Sequence, residues 1–131
     1  MFHKYLLSVL VLCLIVSGCY SSNHIEDPVP LQSFSIKFRN KDDIIRIPIR
    51  QVAIAGDFNE WSQDKNALND DDADGLWTIT LNLKPGQYKY MFVVNSFMWV
   101  SPPDALEYID DGFGNLNGIL EIKNIQQIIP K

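Results

Sequence analysis

The chain has 131 residues, a formal charge of −5 and a hydrophobic content of 47%, which is enough apolar material for one folded domain. This length excludes a barrel enzyme and a two-domain nucleotide-binding enzyme. The 11 Lys and Arg residues are outnumbered by 16 Asp and Glu and form no basic cluster, so nucleic acid is a poor candidate as a partner.

The N-terminal segment has the features of an export signal. A short basic head ending at Lys4 precedes an apolar run from Tyr5 to Val16, which at about 12 residues is too short to span a bilayer as a helix. The run ends in Val-Ser-Gly-Cys at 16–19, which resembles the lipobox of bacterial lipoproteins. The resemblance implies that residues 1–18 are removed and that Cys19 carries lipid. An ordinary signal peptide that contains a cysteine, or a buried N-terminal helix, is the alternative.

A lipidated Cys19 implies a protein of the bacterial cell envelope that is anchored to a membrane. Tyr20 stands where some bacteria use aspartate for retention in the inner membrane, so the outer membrane is favoured if the cell has one. Residues 19–30 are polar and contain two prolines, which predicts a flexible tether. The folded domain is predicted at 31–123, and the tail at 124–131 has no structural assignment.

Segments of alternating apolar and polar residues, together with short apolar and β-branched runs, predict an all-β domain. Strands are expected at 34–38, 52–56, 77–83, 88–95, 97–100 and 116–122. Residues 45–50 also alternate, but Pro48 cannot donate a backbone hydrogen bond, so this piece is an edge strand or an extended connection. Short strands with regular turn signals, and no convincing helical pattern, are typical of an antiparallel β-sandwich.

Catalytic side chains are scarce in the predicted domain. Both histidines (His3, His24) and both cysteines (Cys13, Cys19) precede residue 31. A Ser-His-Asp triad and a zinc site built from histidine or cysteine are therefore excluded there. The carboxylates fall mostly in turns, and a domain this small has little room for a deep cleft. We predict no catalytic residue, no cofactor and no enzyme activity.

One acidic segment has the opening pattern of a calcium loop. Residues 70–75 read Asp-Asp-Asp-Ala-Asp-Gly, which fits D-x-D-x-D-G. The twelfth position is Leu81 instead of a bidentate glutamate, and no helices flank the segment, so an EF-hand is rejected. The favoured interpretation is an acidic turn in which Gly75 supplies a positive φ. A weak, partly hydrated calcium site is the alternative, and no metal site is predicted.

The three tryptophans lie in different local contexts. Trp77 begins an alternating strand, which predicts a place in the core. Trp61 follows a polar loop, and Trp99 follows a bend at 95–96, positions that more often face solvent. An exposed indole is flat and apolar, so it suits the C–H face of a sugar ring, while neighbouring amides suit the hydroxyls. These two tryptophans are therefore candidate carbohydrate contacts.

Five ordered blocks of the sequence resemble carbohydrate-binding module family 48. The blocks are Val52–Trp61 (VAIAGDFNEW), Asp74–Trp77 (DGLW), Leu83–Asn95, Trp99 with Pro102–Asp104, and Gly114–Asn117. The family includes the glycogen-binding domain of the AMP-activated protein kinase beta subunit and the early-set domain of isoamylases and branching enzymes. The resemblance implies an immunoglobulin-like, early-set antiparallel β-sandwich. It also implies non-catalytic binding of an α-glucan such as glycogen, starch or maltodextrin.

The resemblance also implies a set of binding residues. In glycogen-binding members two tryptophans cradle the glucan, and Trp61 and Trp99 occupy those positions. Phe113 stands at an aliphatic position, Asn115 at a threonine position, and Asn117 matches an asparagine. Stacking on the indoles is expected to dominate, with the amides bonding sugar hydroxyls.

The sequence departs from the family at the lysine that contacts glucan. That position falls on Met91, which cannot donate a hydrogen bond. Lys89, two residues earlier, points to the same face of a regular strand and is the predicted substitute. Ser96 replaces a glycine, and one extra residue separates Asn95 from Trp99. The loss of the lysine at Met91 favours the alternative hypothesis, an envelope module that binds a protein partner through the same sandwich and no glucan.

Overall fold

The structure, a computed structural model, describes residues 28–124. The predicted signal at 1–18, the lipidated Cys19, most of the tether and most of the tail lie outside the described residues. Within 28–124, no helix combines the length and the apolar character that crossing a membrane requires.

The described chain is built almost entirely of antiparallel strands. They are β1 (Gln32–Arg39), β2 (Val52–Gly56), β3 (Leu76–Leu83), β4 (Gly86–Val94), β5 (Met98–Val100), β6 (Glu107–Asp110) and β7 (Leu116–Ile122). Short 3₁₀ turns lie at Lys41–Asp43 and Asp57–Asn59. The all-β, early-set class predicted from the sequence is confirmed, and the strands fall within the predicted domain.

Two sheets pack face to face. One contains β1 and β3, and the other has the order β2-β4-β7-β6, with β5 also paired to β4. Along β4, β2 pairs with residues 90–94, β7 with 86–90 and β5 with 92–94. Because a strand has two hydrogen-bonding edges, β5 must use the edge opposite β2. It therefore lies on the same edge of β4 as β7, further along the strand.

The hydrophobic core fills the space between the sheets. Phe38 of β1 packs against Phe92 of β4 with ring centroids 4.8 Å apart, and each residue is 1% exposed. Burying an aromatic or aliphatic side chain of this size contributes roughly 1.5–3 kcal/mol before entropy losses. Alternate residues of the large sheet supply much of the remaining core: Val52, Ile54, Tyr90, Val94, Leu120 and Ile122. The small sheet adds Ile36 and Leu81, and the connections add Ile45 and Leu68.

Two segments differ from or refine the predicted strands. Strand β6 was not predicted, because Glu107–Asp110 has no period-2 alternation and all four residues are exposed. Residues 45–50 form no strand and are the extended connection that the sequence left open. The Asn95 side chain bonds this connection: its oxygen accepts the backbone N–H of Arg50, and its amide donates to the carbonyl of Pro48. Strand β4 ends before Asn95, whose φ is +50°.

Candidate functional site

The structure brings Trp61 and Trp99 together. Their ring centroids are 6.4 Å apart and their planes are inclined by 42°. Trp99 is 38% exposed, and Trp61 is partly buried. Trp77 lies elsewhere, on β3, where it is partly buried and packs against the core as predicted. The two indoles chosen from the sequence therefore form one surface feature.

Strand alternation places Trp99 on the outer face of the large sheet. Its neighbours Met98 and Val100 pack against the core, so the side chain between them points away from it. Trp99 pairs directly with Val93 of β4, a residue that is fully buried although it also faces outward. Side chains paired in this way lie close to each other, so the indole stands beside an apolar floor.

That floor is made of small and flexible side chains. Ala53 and Ala55 of β2 and Met91 and Val93 of β4 alternate with core residues, and each is at most 5% exposed. Alanine leaves room above the sheet for a bulky group, which a larger side chain would fill. The outer face near the indoles is therefore a packed surface and not a bare sheet.

Trp61 is held by an unusually constrained loop. Glu60 and Trp61 both have φ of +58°, a left-handed conformation that costs energy for residues other than glycine. The backbone N–H of Trp61 donates to the carbonyl of Gly56 at 3.0 Å. The Asn59 side chain accepts the N–H of Gly56 and donates to the carbonyl of Ile54, both at 2.9 Å. These bonds tie the loop to the end of β2.

Asp57 links Trp61 to the sheet, a role that the sequence analysis missed. Its Oδ1 accepts the indole N–H of Trp61 at 3.1 Å, and its Oδ2 accepts the backbone N–H of Lys89 at 2.8 Å. An aspartate directly after a strand, just before a turn, is the signal that could have indicated such a bond. It could not have identified Lys89 as the second donor, because that residue lies on a different strand.

Lys89 has the orientation predicted for it. Tyr88, Tyr90 and Phe92 pack in or against the core, so Lys89 and Met91 between them face outward. Lys89 is exposed, whereas Met91 is 5% exposed. Lys89, which pairs with Ile119 of β7, therefore places a cation on this face, one alternation away from Met91.

Phe113 stands at the tip of a loop that Asp111 organises. The Asp111 carboxylate accepts the backbone N–H of Phe113 at 2.7 Å and that of Asn115 at 3.1 Å. It also accepts the side-chain amide of Asn115 at 2.9 Å. These bonds, the Asn115 amide foremost, lower the pKa of the Asp111 carboxyl. Phe113 is 91% exposed, and the exposed Asn115 retains its side-chain oxygen and the second N–H of its amide for an outside partner.

Asn117 is less open than the other predicted contacts. It lies on β7 next to Gly118, which pairs with Tyr90, and its side chain alternates away from the core. The next residue of β4 is Met91, so Asn117 lies opposite Met91, just beyond the last pair of the β4–β7 ladder. Because β7 and β5 use the same edge of β4, Asn117 lies on the same edge as Trp99. The residue is only 8% exposed. A ligand would reach little of its amide in this conformation.

The acidic segment at 70–75 adopts the predicted turn. Gly75 has φ of +80° and donates its N–H to the carboxylate of Asp70 at 3.2 Å. Asp74 accepts the N–H of Leu76 at 2.7 Å. One carboxylate oxygen each from Asp70, Asp72 and Asp74 lies within 4.8 Å of the others. The carboxylates of Asp70 and Asp74 are held in place by hydrogen bonds from backbone N–H groups of the turn.

Comparison with known proteins identifies the family. Residues 48–128 match the family described as the glycogen recognition site of AMP-activated protein kinase. The SNF1 protein kinase subunit beta-2 of Saccharomyces cerevisiae (strain ATCC 204508 / S288c) is 29% identical over 73 residues, covering 56% of this chain. The match spans 17% of that relative's length. Because the family match covers more than half of the chain, the protein belongs to the family of the glycogen recognition site of AMP-activated protein kinase.

Proposed function

We propose that this domain binds an α-glucan, such as glycogen, starch or maltodextrin, without catalysing its conversion. The observation that carries the proposal is the tilted pair of indoles, 6.4 Å apart and inclined by 42°. An α-linked glucan curves, so its successive rings present faces that are inclined to one another. A tilted pair suits such a chain better than a flat, fully extended one.

Stacking supplies most of the affinity in this proposal. A sugar carries no charge, but its C–H faces are apolar and match an indole in area. By analogy with bases stacked on aromatic side chains, each ring contact contributes about 1–2 kcal/mol. Two such contacts on a shallow surface supply about 2–4 kcal/mol, which corresponds to a dissociation constant in the millimolar range or weaker.

Four further residues complete the proposed site. The exposed Phe113 packs against a ring edge, and the free side-chain oxygen of Asn115 accepts from a hydroxyl. The ammonium group of Lys89 donates to another hydroxyl, in place of the lysine that Met91 replaces. Asn117 contributes least of the four, because it is 8% exposed and a ligand would reach little of its amide.

Retention on insoluble starch or glycogen tests the proposal. The full chain, purified in detergent, is expected to be retained, and Trp61→Ala and Trp99→Ala are each expected to weaken retention about tenfold. Phe34→Ala is a matched control, because Phe34 is also an aromatic residue at 38% exposure but lies on the other sheet. Absence of retention of the unaltered chain on both polymers would contradict glucan binding.

We also propose that the domain is displayed on a membrane of the bacterial envelope through lipidated Cys19. The lipobox resemblance at 16–19 and the polar tether after it support this. Cys19→Ala should release the protein from the membrane fraction and remove the mass of the lipid. A membrane fraction that is unchanged in this variant would refute lipid anchoring. The choice between the outer and the inner membrane rests on Tyr20 and is tested by fractionating the two.

A second candidate function is docking of a protein partner. The observation that favours it is a groove of about 480 Å³ between the edge of β1 and the β6–β7 side of the large sheet. Phe34 and Leu106 line it and are 38% and 98% exposed. Glucan retention that is normal in Phe34→Ala but lost in Trp99→Ala separates the two functions, because the groove and the indole pair lie on different faces.

A further inference from the structure

We propose that Asp57 is a positioning residue that fixes the indole of Trp61 against β4 and thereby sets the tilt of the aromatic pair. The inference rests on the proposed function, since it concerns how the same surface is built. It begins from one carboxylate that accepts two hydrogen bonds: the Trp61 indole N–H at 3.1 Å and the Lys89 backbone N–H at 2.8 Å.

Asp57 lies directly after the end of strand β2. The ladder between β2 and β4 ends at the pair Gly56 and Tyr90, so the next pair in register would be Asp57 and Lys89. There the chain turns away into the 3₁₀ turn, and the side chain of Asp57 accepts the N–H that the next pair would otherwise engage. The carboxylate is therefore anchored to the sheet itself.

Both indoles take their position from β4. The position of Trp99 relative to that strand is set by its pairing with Val93. The position of the Trp61 indole is set by Asp57, which accepts the indole N–H with one carboxylate oxygen and the backbone N–H of Lys89 with the other. Each connection is short, so the angle between the rings depends on two local contacts. Loss of either one frees one ring relative to the other.

The backbone of the loop cannot fix the orientation of the Trp61 indole by itself. The bond from the Trp61 N–H to the Gly56 carbonyl fixes the backbone, but it leaves two side-chain torsions of the indole to be decided. A carboxylate that accepts the indole N–H selects one orientation, and the bond is stronger because the acceptor is charged. Asparagine could accept only one of the two N–H groups, because its amide nitrogen is a donor.

The bond between the Trp61 indole and Asp57 limits how Trp61 can contact a ligand. The indole N–H of Trp61 is already bonded, so it is not available to a sugar hydroxyl. Trp61 therefore offers its ring face, and recognition at this residue depends on ring orientation. A positioning residue for that orientation then controls affinity without touching the glucan.

The first experiment is made without glucan. Two indoles this close give an exciton couplet in far-ultraviolet circular dichroism, and Trp61→Phe provides the spectrum without it. Asp57→Ala is expected to lose most of the couplet and Asp57→Asn about half, while Asp71→Asn keeps it. Asp71 is an exposed carboxylate in the acidic turn, so that control changes the charge by the same amount.

A couplet that persists unchanged in Asp57→Ala overturns the proposal, whether or not the protein binds glucan. Thermal unfolding of each variant confirms that it is folded, and the nearly isosteric Asp57→Asn answers the question if Asp57→Ala does not fold. Absence of glucan retention by the unaltered chain would contradict the proposed function and leave this optical test in force.

The second experiment separates positioning from general support of the fold. Asp57→Ala is expected to weaken glucan binding about tenfold in the unaltered background, the size of one charged hydrogen bond. In a Trp61→Phe background, which keeps a ring but has no N–H, the same substitution should have almost no effect. Equal losses in both backgrounds would show that Asp57 acts only through Lys89 and would overturn the proposal.

Discussion

The carboxylate of Asp111 accepts the side-chain amide of Asn115 at 2.9 Å, and this bond closes the loop between β6 and β7. The backbone N–H of Asp111 also donates to the carbonyl of Asn115 at 3.1 Å. Phe113 lies between these two residues, with glycines at 112 and 114 that have φ of +81° and +94°. These two hydrogen bonds between Asp111 and Asn115 form a clasp that closes the loop carrying the exposed Phe113 ring.

This clasp predicts an acid transition of the loop. The pKa of Asp111 lies below its ordinary value of 3.8, because the Asn115 amide and two backbone N–H groups bond its charged form. Because these bonds are made to the charged carboxylate, they stabilise the closed loop at pH values above the ordinary pKa. This stabilisation is lost as the pH falls through the lowered pKa. Amide NMR shifts of Phe113 and Asn115, followed from neutral pH into acid, should report the transition.

Asp111→Asn is the control for that titration, since it removes the titrating group. Its spectra should show no such acid step at these two amides. A midpoint at or above 3.8 for the unaltered protein would contradict the clasp.

Phe113→Ala should separate binding from stability. The side chain is 91% exposed, so its removal should change the free energy of unfolding by no more than about 0.5 kcal/mol. If the ring packs against glucan, retention on starch should fall several-fold. Urea unfolding and retention measured on the same preparation test both statements. Unchanged retention would remove Phe113 from the proposed site.

Phe92→Ala should have the opposite profile. Phe92 is 1% exposed, and its ring lies 4.8 Å from that of Phe38 and 5.8 Å from that of Tyr90. Removing it leaves a cavity between the sheets, which costs about 3–5 kcal/mol. Thermal or urea unfolding measures the loss. A loss below about 1 kcal/mol would mean that the core closes around the cavity.

Gly56→Ala should destabilise the domain for a steric reason. The φ of Gly56 is −173°, an extended conformation open to any residue, but an added Cβ would lie 2.4 Å from the carbonyl oxygen of Lys89 and 2.8 Å from the Phe58 ring. The backbone must shift, at a cost of about 1–3 kcal/mol. Because the same loop carries Asp57 and Trp61, the exciton couplet should fall as well.

Gly112→Ala is the matched comparison for that variant. A Cβ there would meet no atom within 4 Å, so only the positive φ of +81° opposes it. Its cost should be about 1 kcal/mol, and the couplet should remain. Equal behaviour of the two variants would argue against a close approach at Gly56.

Tyr90 should make stability fall in strong alkali. Burial, helped by the nearby charges of Tyr108 and Asp104, raises the pKa of Tyr90 from 10.0 to about 12. The folded protein favours the neutral phenol of Tyr90. The stability that this phenol contributes is therefore complete below its ordinary pKa of 10.0 and is lost as the pH rises through about 12. Tyrosinate absorbance measures the pKa, and unfolding midpoints recorded between pH 10 and about 12 measure the loss of stability. Tyr90→Phe should remove this part of the pH dependence.

The sequence alone determined the class of fold and most of its strands. Local patterns predicted β1, β2, β3, β4 and β7 to within two residues at each end. The patterns were period-2 alternation in β1 and β3, a short apolar run closed by glycine in β2, and a β-branched and aromatic run in β4. Local patterns also predicted the acidic turn with its positive φ at Gly75. The outward position of Lys89 followed from alternation within one strand.

Only the tertiary structure decided the contacts between distant segments. Strand β6 exists because Glu107–Asp110 pairs with β7, and its exposed residues carry no signal of that pairing. The second partner of Asp57 is a backbone group of another strand. The 42° tilt of the indoles likewise depends on how β5 and the loop after β2 meet on β4. Such geometry arises from non-local pairing, which local sequence patterns do not encode.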